Sequence, residues 1–153
     1  MPKPSAEALW AYSLECYSQH RDNFLHLQDR YGLNVNLLLL CLYLQEQGYY
    51  LDKIMLASLC QALVPTESVL TSLRQVRKHT KALDAQAYAS LKQAELALEA
   101  RQQCDLLDAL QSLPLQASGK GNLLSYCKTI GVEVDNALLH QLNTIHSKID
   151  PGQ

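Results

Sequence analysis

The segment RQVRKHTK, residues 74–81, holds the side chains whose types and spacing come closest to chemistry. Arg74, Arg77, Lys78 and Lys81 stand at i, i+3, i+4 and i+7, which sets four cations along one ridge of a helix. Such a ridge can hold phosphates, a nucleic-acid backbone or the acidic face of a partner protein. It lies more than about 100° round the helix from Leu73 and Val76. The same pattern also describes a plain solvated face near a helix C-terminus, where the macrodipole favours cations. The segment has no aromatic platform, which weighs against single-stranded nucleic acid.

Other candidates fall away on spacing. SGKG, residues 118–121, resembles the end of a phosphate loop, but Pro114 stands where the first glycine belongs, Gly121 follows the lysine, and no strand precedes. Cys16 and His20 share a helix face at i and i+4, with His26 further on, yet two ligands make no site and no CxxC or HxxxH motif accompanies them. Cys41 lies inside an apolar run, where burial suppresses the thiolate. Asp105 and Asp108 fit a solvated helix face. The expectation is therefore no catalytic residue, no metal and no cofactor. Among the aromatics, Trp10 suits a core margin, and Tyr49 and Tyr50, just past Gly48, suit either a core margin or an interface.

The elements that must position these residues read as helices. The 153 residues include 6 Gly, 5 Pro and 1 Phe, and they are dominated by Leu, Ala, Gln, Glu and Lys. The formal charge of −2 gives no general pull toward polyanions, so any nucleic-acid role has to come from a local patch. Five widely spaced cysteines read as reduced thiols of a cytosolic protein, and the N-terminal stretch shows no export signal. The run Leu37–Leu44 is too short to span a bilayer, since eight helical residues rise only about 12 Å.

The expected fold is all-α, a multi-helix bundle around a central apolar helix at residues 34–47. Ser5 caps a first helix ending near Gln19, and a short second helix closes at Gly32. Asp52 caps a helix that stops before Pro65. A separate helix then runs from Thr66 to Leu83, turning Val69, Leu73, Val76, Thr80 and Leu83 inward. A long helix occupies about 85–113, with EARQQCD, residues 99–105, directed to solvent or a partner. The domain reading is a main unit at 5–113, a linker at 114–121, and a C-terminal pair at 122–149 that includes Ile149 and packs on the main unit or at a dimer interface.

LWAYSLECY at 9–17, LQDRYGLNVNLLLLCLYL at 27–44 and LRQVRKHTK at 73–81 resemble a small, mostly gammaproteobacterial family known as a conserved hypothetical protein or domain of unknown function. The resemblance spans roughly residues 7–112, and the family's tryptophan near Pro65 is absent from this chain. It implies a cytoplasmic helical protein and supplies no catalytic residues. It also directs attention to Asn34 and Asn36. The first suits a helix cap, and the second, inside an apolar helix, needs partners for which Gln28 or Asp29 are the expected source.

The functional expectation is a non-catalytic, cytoplasmic protein-interaction module, a regulator or adaptor whose partner is another protein or a second copy of itself. The alternative is a nucleic-acid or nucleotide-binding protein using Arg74, Arg77, Lys78 and Lys81. No membrane partner is expected.

Overall fold

The computed structural model describes residues 3–117 and 121–147. Lys120 with the rest of 118–120, and Ile149, lie outside the described residues. Six helices follow one another: α1 Ala6–Tyr31, α2 Val35–Glu46, α3 Lys53–Thr80, α4 Ala85–Leu110, α5 Asn122–Thr129 and α6 Asn136–Ser147. The described residues contain no strand, only an isolated antiparallel bridge between Tyr50 and Gln116. The fold is all-α.

Local chemistry sets the helix starts. The side chains of Ser5, Asn34, Asp52 and Asp84 each accept a hydrogen bond from the backbone N–H three residues on, satisfying a donor that the first turn leaves free. Gly32 ends α1 with φ +69°, a left-handed cap that a Cβ would disfavour. The expected gap between two short N-terminal helices is a kink inside α1 at His20, with φ −132°, so the two expected helices are one bent rod.

α2 is the spine. Leu37, Leu38, Leu40, Cys41 and Leu42 are fully buried, and Leu39 and Leu44 nearly so. A helix apolar on all sides has to be surrounded, and here Phe24, Leu27, Leu56, Leu59, Leu106, Tyr126 and Leu138 belong to the same core. α5 and α6 therefore pack on the main bundle. Asn122, wholly buried, fixes α5 there: its Nδ2 donates to the carbonyls of Cys41 and Tyr49, and its Oδ1 accepts from the Leu51 N–H. α6 adds Asn23 Nδ2 to Gln141 Oε1 at 2.7 Å.

The largest correction concerns Pro65. α3 does not stop before it but runs 28 residues straight through. Proline removes one intrahelical hydrogen bond and crowds the carbonyl four residues back. Pro65 and Gln61 are both on the exposed side, where water can take the freed carbonyl. Continuity fixes phase. The face that buries Leu56, Leu59, Leu63, Thr66 and Leu70 arrives, at 3.6 residues per turn, at Arg74 and Arg77. The stripe expected to face inward is consequently turned outward by about 100°, with Val69 at 50%, Val76 at 51% and Leu83 at 82% exposure. By length and composition α3 is apolar enough to cross a membrane, although a third of that stretch is buried in the bundle.

Candidate functional site

The four cations do not act as one ridge. Arg77 Nε donates to Glu95 Oε1, and Arg74 lies 3.7 Å from Glu99 Oε2, both acids on α4. Burial pushes the Glu99 carboxyl up, with the Arg74 guanidinium pulling against that shift. Lys81 sits over the Tyr88 ring at 5.9 Å, next to Lys92 on the same ring. Only Lys78 is exposed with no ion pair or ring contact among the described residues.

The structure does bring three of the sequence-selected residues to one place. Asp29 at the end of α1, and Arg74 and Lys78 on α3, line a groove of about 430 Å³ floored by Gly32 and Leu33 and completed by Glu67 and Thr71. Arg77 and Lys81 are not part of it. Acidic groups stand on both sides of the groove, whereas both cations come from α3, so its lining is of mixed sign.

Beneath the groove lies a box of buried amides. Asn34 Oδ1 caps α2 by accepting from Leu37 N, and its Nδ2 donates to Glu67 Oε2 at 2.6 Å and to Gln102 Oε1 at 3.1 Å. Asn36 Nδ2 donates to the same Gln102 oxygen and to the Glu99 carbonyl. Gln102 Nε2 in turn donates to Thr66 Oγ1 and Glu67 Oε2, and Gln103 Nε2 to Ser13 Oγ and Asn36 Oδ1. The Tyr126 hydroxyl accepts from the Asn34 N–H, joining α5 to the box. Gln103 Oε1 finds no partner among the described residues.

Two expectations are corrected here. Asn36 takes its partners from α4, not from Gln28 or Asp29, and Asp29 lies exposed at the groove. EARQQCD does not face solvent along its length, because Gln102 is fully and Gln103 nearly fully buried. A signal for this exists in the sequence: 102, 103, 106, 107 and 110 share one helix face, so the pair extends the buried stripe of Leu106, Leu107 and Leu110 by one turn. Glu67, whose carboxylate bridges box and groove, carries no such signal.

The buried thiols are poor nucleophiles. Burial pushes Cys16 and Cys127 up to about 11 and Cys41 higher still, so none of the three is a thiolate near neutrality. Cys16 packs in the core, and among the described residues no group of three or more His, Cys, Asp or Glu could hold a metal.

A family model described as a protein of unknown function (DUF2390) matches residues 8–106, from the first turn of α1 to the buried glutamines and Leu106. No curated protein and no solved structure matches the chain.

Proposed function

The chain belongs to the DUF2390 family of proteins of unknown function, and from that premise we propose that it is a non-catalytic, cytoplasmic interaction module that seats a partner protein in the groove between α1 and α3. The observation that carries this reading is the convergence of Asp29, Glu67, Arg74 and Lys78 on one 430 Å³ concavity. Charges of both signs in one concavity suit a polypeptide, which offers both signs in return, and such complementarity governs specificity more than affinity. The amide box supports it by tying the α3 wall to the segment after α1, since Asn34, next to the lining residues Gly32 and Leu33, shares a 2.6 Å hydrogen bond with Glu67. Five unpaired thiols support a reducing compartment.

The nucleic-acid reading fares worse on the same geometry. Counterion release needs cations free to meet phosphates. Arg77 is committed to Glu95, Arg74 faces Glu99, and the carboxylates of Asp29 and Glu67 stand where phosphates would approach.

The test is a comparison of what co-purifies from the native host with the wild-type chain and with the Asp29→Lys/Lys78→Glu double variant, both verified by circular dichroism. The reading expects a protein recovered with the wild type and lost from the variant. Recovery of nuclease-sensitive material, or of the same protein at equal yield on both baits, overturns it.

A further inference from the structure

α3 has a second face that the groove does not use. Ile54, Val69 and Val76 are exposed large apolar side chains on its outer side, at 79%, 50% and 51% exposure, and Leu83, at 82%, follows in the turn after Thr80. Val69, Leu73, Val76, Thr80 and Leu83 recur at alternating steps of four and three, the spacing of a coiled-coil seam. Along that face an open concavity of about 400 Å³ is lined by Val69, Ser72, Leu73 and Val76, flanked by Ser68. Positions i, i+3, i+4 and i+7 are the four that frame the hole receiving a knob from a facing helix.

Charge decides what kind of helix fits. Between Lys53 and Arg74 the only ionised residue of α3 is Glu67, and its carboxylate is tied inward to Asn34 and Gln102. Arg74, Arg77 and Lys78 stand about 80–180° round the helix from Val69 and Val76, and Lys81 is the cap residue beyond its last turn. The outer face is thus neutral from Ile54 to Leu73. A charged partner gains nothing there, whereas a second copy of the same face meets no like-charge repulsion, the condition that an isologous two-fold contact has to satisfy. Hydroxyls at Ser68, Ser72 and Thr80 interleave the apolar residues and permit close approach of two helices.

We infer that two copies of this chain pair through the outer face of α3, burying the Val69–Leu83 seam of each against the other in a two-fold symmetric, reversible dimer. From Ile54 to Thr80 the face is about 39 Å long. At a helix width of about 10 Å it offers roughly 400 Å² of projected contact per copy, so the pair falls below the about 1,200 Å² total of specific stable complexes and is a weak dimer. The contact leaves the α1–α3 groove open, because Arg74 and Lys78 lie elsewhere on the α3 circumference and Asp29 is on α1.

Sedimentation equilibrium of the full chain tests this. The mass should rise with concentration from the 17.1 kDa of one chain toward twice that value. Val69→Glu and Val76→Glu should each hold it at the single-chain mass with an unchanged circular dichroism melt, since both sites are half exposed. Leu14→Glu, exposed on α1, should dimerise as the wild type does. A wild type that stays at one chain mass to submillimolar concentration, a dimer that survives both α3 variants, or flotation with neutral lipid vesicles lost in the same variants overturns the inference. None of these outcomes depends on whether the groove binds a partner.

Discussion

The two halves of the α3–α4 pair share one helix phase and differ in what they meet. Near the bundle, α3 presents Leu56, Leu59, Leu63 and Leu70, and the core also holds Leu106, Leu107 and Leu110 of α4. Beyond Leu70 and Gln102 the same faces carry Arg74 and Arg77 against Glu99 and Glu95, and burial of whole side chains ceases. One half is held by apolar area and a buried hydrogen-bond box, the other by ion pairs, a cap at Asp84 and ring contacts at Tyr88. Paired partly exposed charges contribute far less than buried leucines. The distal half is therefore the low-stability end of a single helical hairpin, free to offer surface, and the proximal half is its anchor.

The comparison breaks first at Gln102. Gln102→Leu removes the acceptor of the Asn34 and Asn36 amides and the donor to Thr66 and Glu67. Each of these four hydrogen bonds contributes about 0.5–1.5 kcal/mol net, so urea unfolding should show a loss of roughly 2–6 kcal/mol. Gln93→Leu, exposed in the distal half of α4, should stay within about 0.5 kcal/mol of wild type. Equal losses at the two glutamines would show that the box is no anchor.

Next comes the boundary itself. Leu70 is fully buried and Val76 half exposed, less than two helical turns apart on one rod. Leu70→Ala should cost about 2–5 kcal/mol, and Val76→Ala, measured at concentrations where the chain is single, no more than about 0.5 kcal/mol. A comparable cost at Val76 would extend the core into the arm and remove the outer face on which self-pairing rests.

What was legible in the sequence follows the same division. The cap residues Ser5, Asn34 and Asp52 announce themselves because each acts on a donor three residues away. The block Leu37–Leu44 is central because no one-sided burial can hide it. Residues of the groove and box meet across 33 to 92 positions of chain, and nothing local records such a meeting. Gln102 and Gln103 read as solvent-facing because their partners are polar and distant. Pro65 misled for a different reason: a break there would let the distal segment choose its own phase and bury Val69 and Val76. The unbroken rod inherits the phase of Leu56, Leu59 and Leu63 instead, so cations and apolar stripe exchange places.

Among the arm's own contacts, the Arg77–Glu95 pair should be the stronger. A double-mutant cycle with Arg77→Ala and Glu95→Ala should give a coupling of about 0.5–1 kcal/mol that shrinks in high salt, as expected of a partly exposed pair. A coupling that ignores salt would mean that the pair is sealed from solvent, and the arm would then be an extension of the core.

The smallest effect, and the one that separates the two pairs of charges, is in the pH dependence of Glu99. Its carboxyl is pushed up by burial more than the guanidinium of Arg74, 3.7 Å away, pulls it down. A carboxyl whose folded pKa exceeds its unfolded value favours the folded state while protonated. That contribution is complete below the unfolded pKa and is lost as pH rises through the folded one. Glu99→Gln, which cannot ionise, should therefore melt with the wild type in acid and above it near neutrality, and the gap should open across the carboxylate range. A gap of the opposite sign, with the variant the weaker at neutral pH, would mean that Arg74 holds Glu99 as firmly as Arg77 holds Glu95. Position 74 would then belong wholly to the hairpin and be lost to the groove, whose mixed charge would rest on Asp29, Glu67 and Lys78 alone.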